Sequence, residues 1–294
     1  MKPKIIVHGG ARRNADLEEE RLADVKAACE AGYEVLQRGS ALDAVEAAVM
    51  RMESSPVLNA GEGSFLQLDG RVRMDASVMT SDLKAGGVIG IEDVEHPIAV
   101  ARRVMENTQH VILSGTLATE FAHSEGFPRF DPRTREKVEA WLDIIAEFKR
   151  KSNWEQIFHV DRYMKEGKHN LGTVGCVAID ADRRIAAGTS TGGRRMNVPG
   201  RVGDSGIIGA GTYCCPHGGI SCTGVGEKIM VLSMAKEVAN FLRFNRDATA
   251  QDAVDHGMAE LSAMGGDGGL ICIDAHGNTG YGFNTRGMTM HCIQ

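Results

Sequence analysis

One pattern occurs twice in this chain: a strand that ends in Ile-Asp-Ala, a short turn and a second strand. The first copy spans residues 177–188 and the second spans residues 271–283. A helix-start pattern that resembles a capping box also recurs, as Ser40-Ala41-Leu42-Asp43 and as Thr249-Ala250-Gln251-Asp252. The period is far too long for a solenoid. The repetition predicts two sheets faced by two layers of helices, although short apolar hairpins also resemble one another by coincidence.

The length and composition are those of a globular chain with one large domain or two small ones. The 294 residues include 33 basic and 39 acidic side chains, and the net charge of −6 argues against a nucleic-acid partner. No apolar run reaches the roughly 18 residues of a membrane span, and the first apolar run is too short for a secretion signal. Seven cysteines without CxxC spacing suit a reducing compartment. We therefore expect a cytoplasmic protein without a membrane partner.

Three further elements are predicted from local patterns. Asp69-Gly70, between short apolar runs, predicts a hairpin with strands at residues 65–68 and 72–74. Residues 131–170 are dense in charge and contain one apolar island, residues 141–148, which predicts a linker with one surface helix. The apolar spacing after Gly226 predicts a helix over residues 228–242.

The first candidate chemical site is Thr173, which lies between glycines where the charged stretch meets an apolar strand. A hydroxyl is a weak nucleophile at neutral pH unless a base lies beside it. If the bond after Gly172 were cut, the α-amine of Thr173, with a pKa of about 7.7–8.0, would supply that base. The alternative interpretation is a threonine placed there for its β-propensity.

A second candidate is the pair Arg201 and Asp204, three residues apart between glycines. A guanidinium binds a carboxylate through two parallel hydrogen bonds, and a nearby carboxylate accepts from an ammonium. The pair is therefore complementary to the α-carbon substituents of an amino acid. A salt bridge within the loop is the alternative.

A third candidate is the turn Thr223-Gly224-Val225-Gly226, where a strand runs into a helix. Backbone N–H groups at such a turn can stabilise an oxyanion, and an ordinary strand-to-helix turn is the alternative. The segment Cys214-Cys215-Pro216-His217 lacks the spacing of a metal site.

These segments together carry a family resemblance. The chain resembles the plant-type (type III) L-asparaginases, or isoaspartyl peptidases, which are N-terminal-nucleophile hydrolases. The motifs that match, in order along the chain, are His8-Gly9-Gly10, Asn59-Ala60-Gly61, Met74-Asp75-Ala76, Gly172-Thr173-Val174-Gly175, Ser190-Thr191-Gly192-Gly193, Gly200-Arg201-Val202-Gly203-Asp204-Ser205, Gly209-Ala210-Gly211, Thr223-Gly224-Val225-Gly226-Glu227 and Phe283-Asn284-Thr285. Residues 213–218 depart from the family's pattern between the second and third candidate sites, which bears on leaving-group specificity.

The resemblance implies an α+β fold, a four-layer αββα sandwich, in a single domain over residues 1–294. It also implies self-cleavage between Gly172 and Thr173. The products would be an α-chain of residues 1–172, ending in a charged linker tail at residues 131–172, and a β-chain of residues 173–294.

The resemblance also implies a role for each site residue. Thr173 would be the nucleophile, Thr191 would hydrogen-bond to it, and Asn59 would support the site from the α-chain. Arg201 would bind the substrate α-carboxylate and Asp204 its α-amino group. The hydroxyl of Thr223 and the N–H of Gly224 would stabilise the oxyanion, with Gly226 completing the turn.

The activity implied is hydrolysis of L-asparagine and β-aspartyl peptides through a covalent acyl-enzyme. Glycosylasparaginase-like hydrolysis is an alternative within the family, and an unprocessed homologue that binds aspartyl ligands without turnover is another. The family suggests a homodimer of processed protomers and needs no organic cofactor. A structural sodium ion is often held by backbone carbonyls just before the Asn59 motif, and here that stretch begins at Met52 and ends at Leu58.

Overall fold

A computed structural model describes residues 1–12, 18–151 and 172–294. The helices are α1 (Glu18–Leu36), α2 (Ala41–Glu53), α3 (Pro97–Asn107), α4 (Gly115–Ser124), α5 (Arg135–Lys151), α6 (Gly226–Leu232), α7 (Met234–Phe244) and α8 (Ala250–Ala263), with a 3-10 turn at Gly61–Gly63. The strands are β1 (Lys4–Arg12), β2 (Met74–Thr80), β3 (Ala85–Ile91), β4 (Ile112–Ser114), β5 (Val174–Ile179), β6 (Ile185–Thr191), β7 (Thr212–Cys215), β8 (Gly218–Gly224), β9 (Gly268–Asp274), β10 (Thr279–Phe283) and β11 (Gly287–Ile293). The fold is therefore α+β, as predicted.

The strands form two sheets. One sheet has seven strands in the order β11-β1-β5-β6-β2-β3-β4, and the other has four in the order β10-β9-β8-β7. Neighbouring strands are antiparallel except β3 and β4. Strand β5 lies in the interior of the larger sheet, between β1 and β6, so its first residues are held on both sides.

Apolar side chains join these elements. Val25, Val45 and Ile98 belong to one buried cluster, which packs α1, α2 and α3 against the larger sheet. A second cluster packs α7 and α8 against the smaller sheet. In a third cluster Val177 from β5 and Ile271 from β9 are fully buried, and the two sheets meet there. Each such side chain contributes roughly 1.5–3 kcal/mol through burial.

The repeated sequence pattern has one physical basis. Both hairpins, β5–β6 and β9–β10, and both capping boxes form as predicted. Asp180 in the first turn also accepts a hydrogen bond from the N–H of Ala41 at the start of α2, at 3.3 Å. Asp274 in the second turn accepts from Ala250 at the start of α8, at 3.1 Å. Each aspartate thus connects a hairpin to a helix N-terminus, where a negative charge is stabilising.

Two local predictions need correction. The Asp69-Gly70 turn forms, but residues 65–68 and 72–73 are not strands, and β2 begins only at Met74. Leu68 instead donates its N–H to the carbonyl of Asn197 and packs in an apolar cluster with α5. The helix expected over residues 228–242 is divided into α6 and α7, because Ser233 adopts a left-handed conformation with φ 51°.

The charged stretch contains a helix, as predicted, but this helix also packs on the core. Ile145 and Phe148 of α5 are buried, and Trp141 donates a hydrogen bond to the carbonyl of Gln67 at 2.9 Å. The remainder of the predicted linker, residues 152–171, lies outside the described residues. Among the helices that the structure describes, none is long and apolar enough to cross a membrane.

Candidate active site

Thr173 lies immediately before β5 and is only 5% exposed. The register of β5 and β6 places Val174 opposite Ser190, which brings Thr173 beside Thr191 at the ends of the two strands. The Thr173 hydroxyl donates a hydrogen bond to Thr191 Oγ1 at 3.3 Å. This bond directs the hydroxyl proton towards Thr191, and among the described residues no donor occupies the oxygen lone pairs of Thr173.

The carbonyl of Gly172 is held by two hydrogen-bond donors. Asn59 Nδ2 lies 2.7 Å from this oxygen and Thr191 Oγ1 lies 2.9 Å from it. Asn59 is itself fixed, because its Nδ2 also donates to the Gly193 carbonyl at 2.6 Å and its Oδ1 accepts from the Phe65 N–H at 3.0 Å. Two donors aimed at one carbonyl oxygen polarise it and would stabilise an oxyanion formed there.

Gly10 makes close approach to this peptide bond possible. It has a φ of +99°, and a Cβ atom there would lie 2.8 Å from Thr173 N and 3.0 Å from Gly172 Cα. Any other residue would therefore both strain the backbone and displace the Gly172–Thr173 bond. This explains why a glycine of the first-half motif contributes to a site built mainly by the second half.

Arg201 and Asp204 converge on Gly226. A Cβ atom on Gly226 would lie 2.7 Å from Arg201 Nη2 and 2.6 Å from Asp204 Oδ1, so this glycine leaves room for both side chains. Among the described residues, Arg201 forms its ion pair with Glu227, at 3.0 Å, and not with Asp204. Asp204 Oδ2 is buried and accepts no hydrogen bond within the described chain.

Burial raises the pKa of Asp204 to about 7, although the positive charge of Arg201 acts in the opposite direction. Burial also raises the pKa of Asp75, which accepts hydrogen bonds from the N–H groups of Gly90 and Gly203. An unpaired, buried carboxyl whose ionisation is unfavourable would be stabilised as an anion by an incoming ammonium group.

Thr223 and Gly224 occupy the end of β8. Thr223 is fully buried, and its Oγ1 accepts a hydrogen bond from the Ala11 N–H at 3.1 Å. Gly224 lines the cavity in front of Thr173. With φ +147° and a Cβ position only 2.5 Å from Gly268 Cα, it can only be glycine.

One small cavity unites most of the predicted residues. It is lined by Gly172, Thr173, Thr191, Gly193, Arg194, Arg201, Asp204 and Gly224, and its volume is about 10 Å³. Asn59 and Gly226 do not line it but contact residues that do, and Thr223 precedes the lining residue Gly224 in the chain. Such a volume admits about one water molecule. The described chain therefore brings these residues together around a space too small for anything much larger than water.

The sequence reasoning missed a chain of buried hydroxyl groups beside this site. It runs from His8 Nε2 through Ser221, Thr189, Thr212 and Ser77 to the Ser205 carbonyl, with steps of 3.0, 2.7, 2.6, 2.9 and 2.6 Å. All these side chains are fully buried, and the chain joins β1 to the loop that carries Asp204. The detectable signal is a set of hydroxyl residues at inward positions of strands that are otherwise apolar.

Two further features concern His8. A Cβ atom on Gly175 would lie 2.5 Å from His8 Nε2, so the second glycine of the Gly-Thr-Val-Gly motif makes room for the imidazole. Burial lowers the pKa of His8 to about 3, while the main chain of Thr173 acts in the opposite direction. His8 is therefore neutral at physiological pH and adds no charge beside Thr173.

Side-chain metal ligands are absent from the described part of the chain, where no group of three or more His, Cys, Asp or Glu residues could hold a metal ion. The loop after α2 offers backbone oxygens instead. A Cβ atom on Gly63 would clash with the carbonyl oxygens of Ser55, at 2.6 Å, and of Leu58, and one on Gly61 would clash with that of Glu53. The Ser55 and Leu58 oxygens thus lie near one position and the Glu53 oxygen lies near another, and backbone carbonyl oxygens are ligands of the kind that a hard cation prefers.

The segment that departs from the family's pattern lies away from the site. Residues 213–218 form the end of β7, the turn and the start of β8. Gly224 is at the other end of β8, six residues and about 20 Å along the strand from Gly218. Leaving-group specificity must therefore be sought in residues nearer Thr173.

Comparison with known proteins finds similar chains over nearly the whole length of this one. A family model described as "Asparaginase" matches residues 1–294. The "Plant-type L-asparaginase" of Thermococcus kodakarensis is 43% identical over 291 residues, which cover 97% of this chain and 94% of that protein. The "Isoaspartyl peptidase" of Escherichia coli is 38% identical (98% and 91% covered), and the "Isoaspartyl peptidase/L-asparaginase" of Xenopus laevis is 37% identical (100% and 93% covered).

Proposed function

Because this chain belongs to the asparaginase family, we propose that it hydrolyses L-asparagine and β-aspartyl (isoaspartyl) peptides with Thr173 as the nucleophile. It is an enzyme of the L-asparaginase and isoaspartyl peptidase type. The observation that carries the proposal is the pair of donors, Asn59 and Thr191, on the carbonyl that precedes Thr173.

Maturation comes first in the proposed sequence. Thr173 Oγ attacks the Gly172 carbonyl carbon while Asn59 and Thr191 donate to the developing oxyanion. The Gly172–Thr173 C–N bond breaks, an ester to Thr173 Oγ replaces it, and water hydrolyses that ester. The products are a carboxylate on Gly172 and a free α-amine on Thr173, which serves as the general base in later turnovers.

Removal of the Gly172 end opens the cavity for substrate. In the uncut chain the cavity volume of about 10 Å³ is too small for asparagine. After cleavage Arg201 binds the substrate α-carboxylate and Asp204 its α-ammonium. Thr223 and Gly224 stabilise the oxyanion as Thr173 attacks the side-chain amide. Ammonia or the amine leaves, and water hydrolyses the aspartyl ester to give aspartate.

We extend the proposal to organisation. The three apolar clusters support a four-layer αββα sandwich in a single domain. Cleavage gives chains of residues 1–172 and 173–294, and two processed protomers form a homodimer. Backbone carbonyls of Glu53, Ser55 and Leu58 would hold a structural sodium ion, whose charge would fix the loop that leads to Asn59.

Steady-state kinetics on processed protein test the proposed function. The substrates are L-asparagine, a β-aspartyl dipeptide, glycosylasparagine and, as a control, the α-linked aspartyl dipeptide. We expect turnover of the first two and none of the α-linked peptide, whose scissile group lies on the wrong carbon. Processed protein that cleaves only glycosylasparagine, or none of them, would overturn the assignment. An uncut chain that binds aspartate would indicate a binding protein.

A further inference from the structure

Arg194 is a cationic residue of the active-site cavity that the proposed mechanism leaves unused. Among the described residues that line the cavity, the two cations are Arg194 and Arg201. Asparagine has one carboxylate, which Arg201 binds, and one ammonium, which Asp204 accepts. A second guanidinium in the same cavity therefore has no counterpart in asparagine.

The position of Arg194 is fixed by the catalytic residues. Gly193, the residue before it, donates its N–H to Thr191 Oγ1 at 3.0 Å and accepts from Asn59 Nδ2 at 2.6 Å. The start of the Arg194 side chain is thereby held beside the scissile carbonyl. The neighbouring Arg195 lies instead with its guanidinium over the Phe65 ring, 4.8 Å from the centroid.

The Arg194 guanidinium is only weakly engaged. Its Nη1 lies 3.5 Å from Glu227 Oε2, whereas Arg201 holds Oε1 of the same carboxylate at 3.0 Å. Arg194 Nε is buried and has no hydrogen-bond partner in the described chain. The side chain is 20% exposed and that of Glu227 is 46% exposed, so the contact lies at the mouth of the cavity and an incoming anion can compete with it.

The chemistry of a β-aspartyl dipeptide supplies such an anion. The leaving residue carries its own α-carboxylate, whose carbon lies roughly 2.5 Å from the scissile nitrogen because one Cα atom separates them. Asparagine lacks this group, and a longer isoaspartyl peptide has an uncharged amide there. A carboxylate so near the scissile bond falls within reach of a guanidinium in the cavity that contains Thr173.

We propose that Arg194 binds the α-carboxylate of the leaving residue and makes the enzyme selective for β-aspartyl dipeptides with a free C-terminus. This inference rests on the proposed function and specifies its substrate class. A charge-assisted hydrogen bond to this carboxylate would favour the free acid over the otherwise identical amide.

The test compares two substrates, β-aspartyl-leucine and β-aspartyl-leucine amide, which differ only in that carboxylate. The quantity measured is the ratio of kcat/KM for the acid to kcat/KM for the amide, with cleavage before Thr173 verified for each variant. We expect a ratio of about ten or more for the parent enzyme, near one for Arg194→Gln, and intermediate for Arg194→Lys. Arg195→Gln is the matched control and should keep the parent ratio.

A parent ratio near one, or an unchanged ratio in Arg194→Gln, would overturn the assignment of Arg194. Because a ratio is measured within one preparation, a general loss of activity or folding does not mimic the effect. Hydrolysis of asparagine by the parent is measured alongside. If it occurs while the ratio fails, only this inference is wrong; if the parent hydrolyses none of the three substrates, the proposed function itself fails.

Discussion

Thr191 Oγ1 lies 2.9 Å from the carbonyl oxygen of Gly172 and donates a hydrogen bond to it. Thr191 Oγ1 itself accepts a hydrogen bond from the Thr173 hydroxyl at 3.3 Å and another from the Gly193 N–H at 3.0 Å. One side chain therefore contacts both the Gly172 carbonyl oxygen and the Thr173 hydroxyl, on either side of a single peptide bond. In the proposed function, this arrangement polarises the electrophile and orients the nucleophile before any substrate binds.

Replacing Thr191 with valine should slow self-cleavage strongly. The Gly172 carbonyl would keep its hydrogen bond from Asn59 but lose the one from Thr191. Removing one hydrogen-bond donor to an oxyanion typically lowers the rate by about 10²–10³. The measurement is the fraction of intact chain over time on a denaturing gel. Thr191→Ser restores the hydroxyl and should cleave within about tenfold of the parent rate; cleavage of Thr191→Val at the parent rate would contradict this role.

Gly10→Ala should block self-cleavage through a direct steric effect. The added methyl would lie 2.8 Å from Thr173 N and would displace the bond to be cut. Gly126→Ala is a matched control, because Gly126 also has a positive φ, +91°, but nothing lies within 4 Å of its Cβ position. Both variants strain a positive-φ backbone, but only Gly10→Ala adds a clash, so it should also lose more thermal stability than Gly126→Ala. Equal processing of the two by intact-mass measurement would show that the contact is unimportant.

Asp204 should make folding stability depend on pH. Burial raises its pKa from 3.8 to about 7, so ionisation disfavours the folded state, and the stability linked to this group falls as pH rises from about 4 to 7. The effect has a ceiling on the order of 4 kcal/mol. Both chains to be compared carry Thr173→Ala. The melting temperature of the chain with Asp204→Asn, minus that of the chain that keeps Asp204, should increase as pH rises over this range. A pH-independent difference would mean that Asp204 titrates normally.

A sodium ion at the Glu53, Ser55 and Leu58 carbonyls should stabilise the folded enzyme. Binding to the folded state alone raises stability by mass action. Melting temperature and asparagine turnover are measured in sodium buffer and in tetramethylammonium buffer of equal ionic strength. We expect both values to be higher in sodium, and identical values in the two buffers would exclude a functional sodium site there.

The sequence allows prediction of those parts of the fold that local physics decides. Both hairpins and both capping boxes are determined by residues close together in the chain, and the structure confirms them. The predicted strand at residues 65–68 failed because Leu68 finds a better partner in α5, more than 70 residues later. The break at Ser233 likewise has no signal in the apolar spacing, because only the backbone conformation, with φ 51°, reveals it.

In the candidate site, too, features set by neighbouring residues were predictable and features set by tertiary packing were not. The motif residues could be named from the sequence, because each motif is short and contiguous. The hydroxyl chain from His8 to Ser77 could not, since its members come from five strands and only tertiary packing aligns them. Arg194 was also missed, because an arginine beside a glycine motif resembles any exposed arginine until the cavity is visible.

Intact-mass analysis of the purified protein, followed by N-terminal sequencing of its fragments, tests the nucleophile assignment most directly. We expect two fragments, with Thr173 at the new N-terminus, and an intact, inactive chain for Thr173→Ala, because that variant has no hydroxyl to attack the Gly172 carbonyl. Cleavage of Thr173→Ala at the parent rate and position, or a parent that stays uncut yet hydrolyses asparagine, would contradict it.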